Sequence, residues 1–277
     1  MQSGRRTRSA PPSSRTQRQL PPTTPCATFR KMPALEILLL ALIAVFIAGS
    51  VQGLTGFGFG IVAVPILTLF ISPKLAAPVT LLNSILLNTL IVQRTHTDID
   101  LKRIWPLILA GLTGVPIGTW ILVHADVDTL RIYIGVATTL IALFFLAGFS
   151  REVQREKLAF LPIGLLSGLM SGSINMAGPP VILFLTNQRV ARHIFRATIV
   201  AYFLILGVFA IPWLALGGLL TRDALLTAAI VSPALVAGGL IGNRLVPSVD
   251  DTLVRRLTLA IVLLAGITST LTGLGAL

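Results

Sequence analysis

The stretch GLTGFGFGIVAVPIL, residues 53–67, lies inside a run from 37 to 73 that contains no Lys, Arg, Asp, Glu or His. As one straight helix this run would reach roughly 55 Å, at about 1.5 Å per residue, against a bilayer hydrocarbon core of about 30 Å. It must break or turn. Gly53, Gly56, Gly58 and Gly60 fall within eight positions, and Pro65 follows. They place the interruption near the centre, because clustered glycine is poor helix and proline has no backbone N–H. Lipid cannot satisfy the backbone groups that a break releases, so the break has to pack in protein or line a polar cavity. Two readings follow: a site for a solute, or glycines that let helices approach closely.

Composition narrows the class. With 54% apolar and 12% charged residues and a mean hydropathy of +0.88, the chain is too apolar for an ordinary soluble domain. It reads as an all-α polytopic protein of a lipid bilayer. Eight uncharged runs occur, at 37–73, 75–93, 104–123, 132–150, 158–188, 197–221, 224–243 and 257–277. Six are about one bilayer long; the first and fifth are too long. The net charge of +12 raises the question of nucleic acid, but seven of the 22 Lys and Arg lie in the first 31 residues, which contain no acid. No folded nucleic-acid module is visible, so no nucleic-acid partner is expected. Cys26 is the sole cysteine, which excludes an intrachain disulfide and a cysteine metal site. His96, His124 and His193 are too scattered to hold a metal, and no cofactor is expected.

Residues 1–31, rich in Arg, Ser, Thr, Gln and Pro, read as a disordered basic tail. Met32 opens MPALEILLLALIAVFIAG, which reads as a natural start. The span 75–93 carries Asn83, Ser84, Asn88 and Thr89, which either join helices or touch solute. Gly111, Gly114 and Gly118 form a small-residue face for close packing. The charged connection REVQREK, 151–157, divides a first repeat, 32–150, from a second, 158–277. In the second the pattern returns with GLMSGSINMAGPPVIL, residues 168–183. An offset of 115 places Gly53 on Gly168 and Pro65 on Pro180. Farther on, PIGTWILVHADVDTL at 116–130 resembles LIGNRLVPSVDDTL at 240–253, with Gly118 on Gly242. Each repeat is then a Gly/Pro-broken segment followed by three transmembrane helices. One crossing per broken segment gives about eight spans and parallel repeats; two crossings give ten and an inverted pair. In the eight-span arrangement, with the tail removed, the Lys and Arg of the loops divide 7 against 8, which sets no orientation. Interruptions at matching positions of two repeats are the sequence pointer to a transporter site.

These paired segments, together with FRATIVAYF at 195–203, resemble the signatures of the sulfite exporter TauE/SafE family, also called toluene sulfonate uptake permease-like proteins. The resemblance covers about residues 34–277. Phe59 interrupts the common glycine triplet of the first copy, and Ser173 and Asn175 stand where glycine is frequent in the second. The resemblance implies transport of small anions, commonly sulfur oxyanions or organosulfonates, by a multi-pass protein of the cell membrane, bacterial inner membrane in the first instance.

The residues point the same way. Where a helix restarts after a break, its first N–H groups carry partial positive charge into the cavity, an anion site without a formal cation. Ile61 and Val181 lie near the expected restarts. Gly56, Gly58, Gly60, Gly172 and Gly178 supply the backbone of the two breaks, and Thr55, Ser171, Ser173 and Asn175 supply side-chain donors. Arg196, with Arg192 four residues before it on the same face, sits where it would draw an anion toward the second break, or would anchor at the interface. No Asp or Glu falls within an uncharged run. A membrane-embedded enzyme needs a nucleophile, a metal cluster or paired acids at depth, and none is visible, so the chain reads as no enzyme. A non-transporting scaffold or assembly protein is the alternative; it explains packing glycines but not two matched interruptions.

Overall fold

In the computed structural model, residues 34–147, 156–186, 191–245 and 251–275 are described. The expectations for the tail and for most of the 151–157 connection lie outside them. The described residues form ten α-helices and no strand. The first half holds α1 (Ala34–Thr55), α2 (Phe59–Leu67), α3 (Pro73–Thr95), α4 (Leu101–His124) and α5 (Val127–Leu146). The second holds α6 (Glu156–Ile174), α7 (Gly178–Thr186), α8 (Arg192–Leu216), α9 (Arg222–Leu245) and α10 (Asp251–Gly273). Six of them, α1, α3, α4, α5, α8 and α9, are long and apolar enough to cross a membrane, and the apolar parts of α6 and α10 are shorter.

The outer surface is that of a protein in lipid. Leu39, Ile43, Leu109, Ile117, Leu140 and Leu264 are exposed on it, an arrangement that water would penalise. Trp105 and Trp120 are 59% and 61% exposed near opposite ends of α4. They lie about 22 Å apart at about 1.5 Å per residue, the placement of interfacial tryptophans.

Two contacts define the ends of the bundle. Lys74 Nζ, in the first turn of α3, donates to the carbonyl of Val123 at the end of α4, 2.8 Å away. Gly217, just past α8, packs on the same Val123. At the other end the Asp100 N–H, before α4, donates to Thr198 Oγ1 in the second turn of α8 at 3.0 Å. These are the Lys74 end and the Arg196 end.

Neither long run crosses as one helix. In the second, Ser167 Oγ donates to the Ala177 carbonyl at 2.6 Å, and the Phe160 and Phe184 rings meet edge-to-face at 5.3 Å. The chain therefore reverses, and α6–α7 is a hairpin that enters from the Arg196 end. In the first, α1 runs parallel to α9, since Phe46 and Ser50 face Gly238 and Gly242. It rises from the Lys74 end, and α2 leads back to the start of α3 there. Two half-length helices thus enter the bundle from opposite ends.

The contacts recur with fixed offsets. Gly49 meets the Leu235 carbonyl as Gly168 meets that of Gly111, and Gly53 meets Gly239 as Gly172 meets Val115. The first members are 119 positions apart and the second 124, which is also the spacing between Gly118 and Gly242. Across the broken segments the like contacts lie 119 positions apart, not the 115 read from the sequence, a spacing that pairs Gly53 with Gly172 and Phe59 with Gly178. The difference is about one helical turn. Glycines spaced by four on a packing face align equally well after such a slip, so the sequence alone could not hold the register.

Glycine also explains why these pairs run so close. A Cβ at Gly168 would fall on the Gly111 carbonyl, and one at Gly242 on that of Ser50. The expected small-residue face of α4 is this seam against α6. Of the Lys and Arg in the described helices, nine lie at the Arg196 end and three, Lys74, Arg131 and Arg222, at the other. The even division read from single-crossing segments does not hold, because the fold-backs reassign which connections share an end.

Candidate functional site

The first break spans Gly56 to Gly58. Both glycines are left-handed, with φ of 85° and 106°, a conformation that costs a residue bearing Cβ roughly 1–2 kcal/mol. Thr55 Oγ1 donates to the Val51 carbonyl at 2.9 Å and accepts the Phe57 N–H at 3.2 Å, so its hydroxyl shapes the turn. The second break turns at Asn175, the one non-glycine with positive φ, 53°, among the described residues. Asparagine tolerates this region better than other side chains.

The two breaks meet. A Cβ on Gly60 would overlap the Asn175 carbonyl oxygen, so the start of α2 lies directly against the end of α6. Asn175 Nδ2 donates to Ser84 Oγ at 3.0 Å, and Gln52 Nε2 to Asn88 Oδ1 at 2.6 Å. Between these groups is a pocket of about 40 Å³, lined by Gly58, Gly60, Ser171, Asn175 and Gly178 from the hairpins. Ser84 and Asn88 of α3 and Phe203 and Gly207 of α8 close its sides. Ser84 and Phe203 lie near the midpoints of their helices, so the pocket is at mid-depth. The offset of 119 carries Ser84 to Phe203 and Asn88 to Gly207, lining residue to lining residue.

Electrostatics at the pocket come from backbone. The first bond within α2 runs from Val62 N to Gly58 O at 3.0 Å, which puts the Phe59, Gly60 and Ile61 N–H groups in the unpaired first turn. All three residues line the pocket, and the positive end of the helix dipole adds to those N–H groups. The first residue of α7, Gly178, lines it too, but Pro179 and Pro180 have no N–H, so this helix contributes its dipole and fewer donors. The restarts fall at Phe59 and Gly178, two and three residues before the expected Ile61 and Val181. No Asp, Glu, Lys, Arg or His lines the pocket. Among the described residues no group of three His, Cys, Asp or Glu could hold a metal.

Of the ten residues expected at the site, Gly58, Gly60, Ser171, Asn175 and Gly178 line the pocket, and the other five lie elsewhere. Gly56 packs on the side chain of Arg196, and Gly172 on Val115 and Thr119 of α4. Ser173 Oγ donates to Leu169 O at 2.7 Å and lies 3.2 Å from Tyr133 Oη, facing α5. Thr55 holds its own turn. Arg196 is at the first break, not the second: its guanidinium donates to Gly53 O at 2.8 Å and to Asn243 Oδ1 at 3.0 Å. There it offsets the negative C-terminal end of α1. Its neighbour Phe195 meets Phe57 edge-to-face at 6.3 Å. Only the backbone of Arg192 is described.

Residues 41–269 match the family described as sulfite exporter TauE/SafE. The chain belongs to that family. It is therefore a membrane transporter and not an enzyme. No curated protein and no solved structure matched it. Five residues of the FRATIVAYF element of this TauE/SafE chain have a structural account. Phe195 and Arg196 clamp the first break, Thr198 receives the Asp100 N–H, Tyr202 Oη donates to Ser167 Oγ at 3.0 Å, and Phe203 lines the pocket.

Sequence reasoning missed Gln52, Phe203 and Gly207, and left Ser84 and Asn88 open between two roles. Asn83, in contrast, turns away and donates to the carbonyls of Val79 and Ala228 at 2.9 and 3.3 Å, joining α3 to α9. The available signal was Gln52 itself, the one carboxamide in the uncharged run 37–73.

Proposed function

We propose that the chain carries a small sulfur oxyanion or organosulfonate across a bacterial inner membrane, with the pocket between the hairpins as its solute site. One observation carries this reading: the positive ends of two half-helices, entering from opposite ends of the bundle, converge on an acid-free polar pocket at mid-depth. Gln52, Ser84, Asn88, Ser171 and Asn175 provide neutral hydrogen-bonding groups there, so an anion is held without a buried cation. At about 40 Å³ the pocket has room for roughly three waters, at about 10–15 Å³ each. Sulfite, the solute in the family description, is of that scale.

The recurring contacts support an internal duplication whose halves are inverted across the membrane, each a hairpin followed by three spanning helices. Rocking of one half against the other would then open the shared pocket to either side. Purified protein in sealed vesicles should take up labelled sulfite by counterflow. Asn175→Ala and Ser84→Ala should each lower that flux at least tenfold at unchanged protein content. Wild-type vesicles that move none of sulfite, thiosulfate, sulfonates or carboxylates would sink the transport reading in favour of a scaffold.

A further inference from the structure

A second cavity, of about 420 Å³, opens at the Arg196 end. It is ten times the central pocket and within the roughly 300–1,000 Å³ of small-molecule sites. Its walls are mostly apolar, with Leu87, Leu90 and Ile91 from α3 and Val236 and Leu240 from α9. Its polar groups include Arg94, Thr95, Arg196 and Asn243. The cavity continues the central pocket along one helix face. Ser84 and Asn88 line the pocket and Ile91 and Thr95 the cavity, at spacings of four, three and four on a single stripe of α3. Gln52 and Gly53, consecutive on α1, likewise face one space each, so the Gln52–Asn88 hydrogen bond stands at the boundary.

The opposite end is built differently. The offset of 119 carries Leu90 to Phe209 and Arg94 to Trp213, whose rings lie 6.3 Å apart. Where one end offers a leucine and an arginine, the other offers two aromatic side chains. Charge and apolar wall together occur on the Arg196 side.

We infer that this cavity is a binding vestibule for an organic anion with an apolar body, partitioned from the central pocket by the Gln52–Asn88 pair. The anionic group lies toward Arg94 and Arg196 while the body covers the leucine and valine walls, removing apolar surface from water. The inference rests on the transport reading and extends it to what enters from this side. An inorganic oxyanion gains nothing from the apolar walls, so the vestibule discriminates between the two kinds of solute.

The test uses the full chain carrying Cys26→Ser and Val236→Cys, reconstituted in phosphatidylethanolamine–phosphatidylglycerol vesicles. A charged thiol reagent labels Cys at 236 in the presence of benzenesulfonate, sulfite or neither. Benzenesulfonate should slow labelling at least threefold, sulfite should leave it unchanged, and adding Arg94→Gln should abolish the protection. Equal rates with and without benzenesulfonate overturn the inference. So does equal protection by sulfite, or labelling that is slow in lipid, fast in detergent and indifferent to benzenesulfonate, which identifies a lipid chain as the occupant. Labelling does not require flux, so protection by benzenesulfonate together with absent transport would count against the transport reading alone.

Discussion

Gly60 and Asn175 fix how closely the two half-helices approach, and each glycine near them fails differently when a side chain is added. At Gly60 the obstacle is a backbone carbonyl, which cannot rotate away. Gly60→Ala should therefore force the hairpins apart, costing about 1–3 kcal/mol as overpacking does, with loss of flux. At Gly178 the obstacle is the flexible tip of Ile182, 2.9 Å from the added atom. Gly178→Leu should fold, and block passage by filling the pocket. At Gly111 the added atom meets Tyr202 Oη at 2.8 Å and Leu206 at 3.0 Å where α4 packs on α8, so Gly111→Leu should lower the thermal midpoint chiefly. Thermal unfolding and sulfite flux measured on the three variants separate these effects; equal flux in wild type and Gly178→Leu would exclude that pocket as the route. Arg196→Ala removes charged hydrogen bonds to two elements and should reduce both flux and thermal midpoint. Lysine should restore only part, having no planar fork to reach the Gly53 and Asn243 oxygens together.

The hairpins are unequal as elements. Helix α2 begins with residues that keep their N–H groups, whereas α7 begins Gly-Pro-Pro. Proline is well accommodated in a first turn, where N–H groups lack intrahelical partners, but each one deletes a donor that an anion would use. Pro179→Ala and Pro180→Ala should thus add donors at the pocket. Each should lower the KM for sulfite by roughly ten- to a hundredfold, since a hydrogen bond to a charged group is worth about 1.5–3 kcal/mol. An unchanged KM in both would show that the anion leans on α2 alone.

For the whole molecule the question is which way it faces. Nine Lys and Arg of the described helices sit at the Arg196 end against three at the other. The positive-inside rule therefore predicts that the Arg196 end faces the cytoplasm. The basic residues 1–31 precede α1, which begins at the opposite end, so they compete with that assignment. Deleting them should leave sulfite flux intact and leave a cysteine placed at Thr97 inaccessible to an impermeant reagent added to whole cells. Labelling of that cysteine from outside would reverse the orientation; loss of the folded protein would show the tail to be needed.

Hydropathy and the paired Gly/Pro interruptions were enough to determine an all-α membrane protein with two broken segments, because lipid permits few alternatives for an uncharged run of that length. They also marked Gly58, Gly60, Ser171, Asn175 and Gly178, where a break must release backbone groups. Three things were left to tertiary structure. One is the repeat register, since packing glycines recur every turn. Another is the role of Arg196, because a long side chain on one helix reaches carbonyls 143 positions away in sequence. The last is which amides face the pocket, for Asn83 and Asn88 differ only in the side of α3 they occupy, and neighbouring helices decide which side is buried against protein and which against a cavity.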